Sequence, residues 1–126
     1  MVDDVKVNLV VVKGLLKDSG IEIDTAESGA EAIEKMKESR YDIVFLDHMM
    51  PEMDGVETLS RIKSDPDIDS ESTPIIALTA NAISGVDKMY REHGFADYLS
   101  KPVDPISLEK ILLKYLHKEL IKPKKQ

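Results

Sequence analysis

Short apolar runs alternate with longer amphipathic stretches along this chain of 126 residues. Residues 41–46 and 75–80 are mostly apolar, as expected for strands of a parallel sheet that is covered on both faces. Between them, residues 55–64 repeat apolar side chains at the spacing of a helix. Strands that alternate with helices form βαβ units, so the pattern predicts an α/β fold with a parallel sheet.

Local signals place the remaining elements. A capping-box pattern opens a helix at Ser28 and Glu31, and Asp104 caps another helix that has Pro105 at its first position. The predicted helices cover residues 5–19, 28–39, 55–64, 84–93 and the stretch from 105 onward, and the predicted strands cover 21–26, 41–46, 75–80 and 96–100.

Composition excludes several classes of function. The 17 Lys and Arg residues against 24 Asp and Glu give a net charge of −7, which argues against nucleic acid as a direct partner. The absence of cysteine excludes disulfides, zinc–thiolate sites and a cysteine nucleophile. Apolar runs are far shorter than the roughly 20 residues that span a bilayer, and no signal peptide is visible. We therefore expect a cytoplasmic protein that makes no membrane contact of its own.

Polar side chains collect where the predicted strands end. They are Asp3, Asp4, Asp47, Thr79 and Lys101. The first two follow Met1 and Val2, where a first strand would have to end. Because the carboxyl ends of parallel strands share one edge of the sheet, where ligands bind, we expect these side chains to meet.

Such a cluster has a chemical interpretation. Three carboxylates would repel one another without a divalent cation, and Mg²⁺ prefers oxygen ligands of this kind. With a cation present, Asp47 is a candidate nucleophile that forms an aspartyl phosphate, while Lys101 neutralises the phosphoryl oxygens and Thr79 donates a hydrogen bond. Pro51 and the Asp54–Gly55 pair predict a compact loop that aims a backbone carbonyl near Met49 at the metal.

Each residue alone also has a structural explanation. Asp47 could form a turn, the Asp3–Asp4 pair could begin a helix, Thr79 favours strands, and Lys101 belongs to a common Lys-Pro loop dipeptide. The three histidines, His48, His93 and His117, share no ligand spacing and are interpreted as scattered surface residues. Met49, Met50 and Met53 are interpreted as packing residues. The functional interpretation depends on five polar sites coinciding with one sheet edge.

Four motifs together resemble the receiver (response-regulator) domain of two-component signalling. They are "VDD" at 2–4, "DHMMPEMDG" at 47–55, "ALTA" at 77–80 and "KP" at 101–102. The wider sequence resembles receivers of hybrid sensor histidine kinases. This resemblance implies a flavodoxin-like, doubly wound, five-stranded parallel sheet of order 2-1-3-4-5 with five helices. The domain would cover residues 1–121, and residues 122–126 would be a polar, basic tail or the start of a linker.

The resemblance also implies a role for each site residue. Asp47 would be the phosphoacceptor, and Thr79 and Tyr98 would be the switch residues, with Lys101 as the cation of the site. Asp3, Asp4, Asp47 and the Met49 backbone carbonyl would bind Mg²⁺, with Mn²⁺ as an alternative. The phosphoryl group would come from a phosphohistidine on a sensor histidine kinase or a histidine phosphotransfer domain. Phosphorylation would remodel the face built from the fourth helix, the fifth strand and the fifth helix.

One departure concerns the first strand, because only Met1 and Val2 precede the acidic pair. A truncated central strand would leave neighbouring strands unpaired, so a dimer or an exchange of segments stays open. Two other functions would also use this fold or this nucleophile: a docking module that keeps only the fold, and a phosphatase with an aspartyl nucleophile. Phosphatases that resemble "DxDxT" carry a second acid where this chain has Met49. By itself the chain is not expected to be a multiple-turnover enzyme, although its parent chain would be a kinase if it is a hybrid type.

Overall fold

The structure is a computed structural model that describes residues 1–3, 6–16, 23–39, 41–48, 50, 53–68, 73–79, 86–101 and 103–115. The predictions for Asp4, Met49, Pro51, His117 and the 122–126 tail lie outside these residues.

The described residues form five helices and three strands at the predicted places. The helices are α1 (Lys6–Leu16), α2 (Gly29–Glu38), α3 (Gly55–Ser64), α4 (Val86–His93) and α5 (Pro105–Tyr115), and the strands are β1 (Val44–Asp47), β2 (Ile75–Thr79) and β3 (Asp97–Ser100). None of these helices is long and apolar enough to cross a membrane.

The three strands form a parallel sheet in the order β1-β2-β3. Val2 extends this order on the other side of β1, because it makes parallel bridges to both Leu46 and Ala26. The sheet positions therefore run Ala26, Val2, β1, β2, β3, which is the predicted order 2-1-3-4-5. Among the described residues, two of the five predicted strands are represented by one bridged residue each, Ala26 and Val2.

The predicted strand at residues 21–26 is wrong for residues 23–25, which have no strand structure. Ala26 alone pairs, because its N–H donates to the carbonyl of Met1 and its carbonyl accepts from the N–H of Asp3, both at 3.0 Å. The bridge between Ala26 and Val2 is the pairing that this segment makes among the described residues.

Alternation along the strands builds a core on each face of the sheet. Phe45 on β1 contributes to a cluster with apolar residues of α1 and α5, whereas the next residue, Leu46, packs with residues of α2, α3 and α4. The fully buried Leu59 and Ile62 anchor α3 on that second face. Helices thus cover both faces, as a doubly wound sheet requires, and leave the carboxyl edge of the strands for the site.

Candidate functional site

Asp47 ends β1 and is the centre of the candidate site. Its side chain is 2% exposed, and Lys101 Nζ donates a hydrogen bond of 2.9 Å to its Oδ1. Among the described residues, no group donates a hydrogen bond to the buried Oδ2. A buried carboxylate oxygen without a donor is costly in a folded protein, so this atom is a candidate ligand for a cation.

Strand register brings the other predicted residues to the same edge. Thr79 ends β2 opposite Ser100 of β3, and the N–H of Lys101 donates to the carbonyl of Thr79 at 2.7 Å. Asp47 lies opposite Leu78, so Thr79 comes one position further along the neighbouring strand. The parallel sheet therefore gathers these residues although they are far apart in sequence.

Asp3 joins the site from the N-terminal segment. Its side chain is fully buried, and its Oδ2 lies 3.7 Å from Lys101 Nζ. The bridges at Val2 place it there, because Asp47 N–H donates to the carbonyl of Val2 at 2.9 Å. One ammonium therefore faces two buried carboxylates, and the predicted convergence of Asp3, Asp47 and Lys101 is observed.

The electrostatics of this cluster affect the phosphoacceptor candidate. Burial raises the pKa of the Asp47 carboxyl to about 6, the hydrogen bond from Lys101 opposes the rise, and the negative charge of Asp3 adds to it. At neutral pH the carboxylate is still ionised but more basic than a solvated one. A more basic carboxylate is a better nucleophile, as an acceptor of a phosphoryl group needs to be.

The turn after β1 approaches the site closely at Gly55. A Cβ at this position would lie 2.5 Å from the carbonyl oxygen of Asp47, so no side chain fits without a shift of the backbone. The Gly55 N–H donates to the carbonyl of His48 at 2.8 Å, and Asp54 caps α3 by accepting from the N–H of Glu57 at 2.9 Å. The Asp-Gly pair thus closes the loop that was predicted to be compact.

The residues present fit a divalent cation, although part of the predicted ligand set is not described. Two buried carboxylates, one with an oxygen that lacks a donor among the described residues, leave an excess of negative charge beside a single ammonium. Within the described ranges no three Asp, Glu, His or Cys side chains form a metal-binding group. Asp4 and the Met49 carbonyl, the other predicted ligands, fall outside those ranges.

Tyr98 lies on β3 and is half-buried, and it does not join the cluster around Asp47 by any described contact. Its ring stacks on Tyr90 of α4, with centroids 6.2 Å apart.

His48 forms a side-chain hydrogen bond with Tyr90, because its Nδ1 lies 2.8 Å from the Tyr90 hydroxyl. The interpretation of His48 as a scattered surface residue was therefore wrong, whereas His93 is exposed as predicted. The position of His48 directly after a buried strand is a sequence signal that it lies close to the site. Nothing in the sequence identifies Tyr90 as its hydrogen-bond partner.

Comparison with known proteins identifies the family. Residues 1–113 match the model of the response regulator receiver domain, and the chain belongs to this family. It is 35% identical over 114 residues to the signal transduction histidine-protein kinase BarA of Escherichia coli (strain K12). That match covers 90% of this chain but only 12% of BarA. The chain is thus a receiver domain of two-component phosphorelay signalling, of the type found in hybrid sensor histidine kinases.

Solved structures support the same fold. The receiver domain of the sensor histidine kinase PA1611 from Pseudomonas aeruginosa PAO1, with a magnesium ion coordinated in its active-site cleft, is 32% identical with a TM-score of 0.78. This likeness covers 90% of this chain and 92% of that one. The receiver domain of Ssk1 from Saccharomyces cerevisiae, co-crystallised with the histidine phosphotransfer protein Ypd1, is 26% identical with a TM-score of 0.80 and coverages of 90% and 84%. The predicted flavodoxin-like fold is confirmed.

Proposed function

We propose that the domain is a phosphoacceptor switch in which Asp47 receives a phosphoryl group from a phosphohistidine. The observation that carries this proposal is the state of the Asp47 carboxylate. One oxygen is held by Lys101, and the other is buried without a donor among the described residues. A carboxylate with one oxygen held by a lysine and the other not engaged by a donor is oriented for attack on phosphorus.

The transfer exchanges one bond to phosphorus for another. The bond between phosphorus and the imidazole nitrogen of the phosphohistidine breaks, and a bond forms between phosphorus and Oδ2 of Asp47. The imidazole nitrogen keeps the electron pair and takes up a proton. Lys101 stays beside Oδ1, where its charge offsets the negative charge of the phosphoryl oxygens, and Thr79 donates a hydrogen bond to one of them.

Magnesium fits this site as the cofactor, with Mn²⁺ as an alternative. Asp3, Asp4, Asp47 and the Met49 carbonyl would hold the ion, which supplies positive charge next to the transferred group. The excess of buried carboxylate over ammonium supports this assignment, as does the ion in the PA1611 receiver.

The partners follow from the chemistry of the donor. A sensor histidine kinase or a histidine phosphotransfer domain would supply the phosphohistidine, which the Ssk1–Ypd1 co-crystal supports. The output would be the face of α4, β3 and α5, which Tyr98 borders. We place the domain in the cytoplasm, where it would act alone or as part of a sensor kinase.

The test is intact mass after incubation with acetyl phosphate and Mg²⁺. We expect one labile phosphoryl group per chain, absent from Asp47→Asn and absent without the metal. Asp42→Asn is the matched control, because Asp42 precedes the same strand and is exposed. No addition to a folded chain would overturn the proposal and favour the docking module. Continued release of phosphate from small esters would instead indicate a phosphatase.

A further inference from the structure

A hydrogen bond connects the residue after Asp47 to a buried tyrosine on another helix. His48 Nδ1 and the Tyr90 hydroxyl are 2.8 Å apart, and the hydroxyl donates when Nδ1 carries no proton. The two rings also meet edge to face, with centroids 5.3 Å apart and planes at 80°. Tyr90 is only 1% exposed, so its hydroxyl needs a partner inside the protein, and His48 is that partner.

The same tyrosine also contacts the predicted switch residue, Tyr98. Tyr98 of β3 stacks on the Tyr90 ring at 6.2 Å with planes 29° apart, and Phe95 packs edge to face against it at 5.4 Å. Tyr90 therefore contacts both His48 and Tyr98. The three side chains form a continuous contact path from the end of β1 to β3, and α4 carries its central residue.

The main chain of His48 is fixed to the candidate site. Its N–H donates to the carbonyl of Leu78 on β2 at 3.0 Å, and its carbonyl accepts from Gly55 at 2.8 Å. It is also bonded covalently to Asp47. These contacts hold the His48 backbone in a fixed position relative to the end of β1.

We propose that His48 and Tyr90 are positioning residues that transmit the phosphorylation state of Asp47 to Tyr98 and α4. The inference rests on the proposed function. A phosphoryl group adds charge and volume at the end of β1, and His48 moves with that end. Tyr90 follows because it shares a hydrogen bond with His48, and Tyr98 must then repack against the displaced ring. Packed aromatic rings favour discrete arrangements, so a small shift at one end selects between positions at the other.

This path is separate from a route through Thr79. It depends on a hydroxyl that touches none of the reacting atoms, which makes it testable without altering the acceptor. Tyr90→Phe keeps the ring and its packing and removes only the hydrogen bond.

The experiment uses the protein labelled with 3-fluorotyrosine. The chain has four tyrosines, so four fluorine resonances are expected, and each is assigned by its Tyr→Phe variant. The quantity measured is the displacement of the Tyr98 resonance when acetyl phosphate and Mg²⁺ are added. Intact mass on the same samples reports how much chain carries a phosphoryl group. For Tyr90→Phe we expect at least half the parent's phosphorylation but less than half its Tyr98 displacement.

Two controls separate coupling from general damage. Tyr115→Phe also removes hydroxyl hydrogen bonds, to the carbonyl of Ala96 and to Oδ2 of Asp97 on β3. Neither bond involves His48 or Tyr90, so this variant should show the same Tyr98 displacement as the parent. At position 48, His48→Asn keeps a hydrogen-bond acceptor near the place of Nδ1 and should retain the Tyr98 displacement. His48→Leu has no acceptor and should lose that displacement. Rescue by asparagine is not expected if the histidine only fills space.

Each outcome decides one claim. A full Tyr98 displacement in phosphorylated Tyr90→Phe overturns the proposed path and leaves the phosphoacceptor function standing. A parent that is phosphorylated without any Tyr98 displacement also overturns it. A folded parent that takes up no phosphoryl group overturns the proposed function itself.

Discussion

The ammonium of Lys101 lies 2.9 Å from Oδ1 of Asp47, a residue 54 positions earlier in the chain. The same ammonium is 3.7 Å from Oδ2 of Asp3. Lys101 therefore neutralises two buried carboxylates at once, and its side chain is 19% exposed. Because two carboxylates share one ammonium, removal of the ammonium would leave both buried charges without a counter-ion.

Removal of the Lys101 charge is expected to destabilise the domain. In Lys101→Ala, two buried carboxylates lose their counter-ion, and the free energy of unfolding in Mg²⁺-free buffer at pH 7 should fall by about 2 kcal/mol. Urea unfolding measures this loss. Mg²⁺ binding, followed by calorimetry, should be largely intact because lysine is not a ligand, while the activated conformation should be impaired.

Lys114→Ala is the matched control for that variant. Its ammonium pairs with Asp97 at 3.2 Å, but its side chain is 59% exposed. Water screens such a pair, so the loss should be much smaller than for Lys101→Ala. If the two variants lose the same free energy of unfolding, Lys101 is not the counter-ion of two buried carboxylates. If Lys101→Ala loses Mg²⁺ binding as much as it loses the activated conformation, the role assigned to Lys101 is also wrong.

Asp47 should make the stability of the metal-free domain depend on pH. The folded pKa of its carboxyl is about 6, raised from 3.8, so the unfolded chain releases this proton at lower pH than the folded chain does. Stability should therefore fall as pH rises from about 4 to about 6, by an amount on the order of 2 kcal/mol. Urea unfolding of Asp47→Asn over the same range provides the comparison. The free energy of unfolding of Asp47→Asn should not fall over this pH range, and at pH 7 this variant should be the more stable protein. If the free energies of the two proteins change with pH in parallel, burial of the Asp47 carboxylate does not destabilise the domain.

A side chain at position 55 should disturb both the fold and the site. The Cβ of Gly55→Ala would lie 2.5 Å from the Asp47 carbonyl oxygen and 2.9 Å from the His48 Cα, and neither backbone atom moves cheaply. We expect a loss of about 2 kcal/mol in the free energy of unfolding, together with slower phosphorylation by acetyl phosphate.

Gly14→Ala serves as its control on α1, where an added Cβ meets nothing within 4 Å. Alanine has the better helix propensity, so this variant should gain roughly 0.5–1 kcal/mol. Should Gly55→Ala prove as stable as Gly14→Ala, the close approach of the loop to Asp47 would not be a real constraint.

Sequence patterns predict a helix or strand well where capping residues and the spacing of apolar side chains determine it. The bounds of α3 match the predicted 55–64, because Asp54 caps its start and apolar residues recur at helical spacing. Continuous apolar runs identified β1 and β2, since buried parallel strands need apolar side chains on both faces. Knowing that strand ends share an edge was then enough to group Asp47 with Lys101.

Other features depend on contacts between distant parts of the chain. His48 and Tyr90 are 42 positions apart, and no spacing rule relates a residue after a strand to one inside a later helix. The segment at 23–25 alternates apolar and polar residues as a strand does, yet pairing requires a partner, which the pattern alone does not supply.

Placement of Val2 between two neighbours has a consequence for local opening of the structure. Its N–H donates to the Phe45 carbonyl at 2.7 Å and its carbonyl accepts from the N–H of Asp47, so within the described part of the chain Val2 ties the N-terminal segment to β1. Such a short attachment should open before the rest of the sheet does, and amide hydrogen exchange at Val2 and Asp47 should be faster than at Leu78. An ion held by both Asp3 and Asp47 would slow that exchange, because opening the segment would release it. Metal affinity and protection of the first residues are then two measures of a single equilibrium.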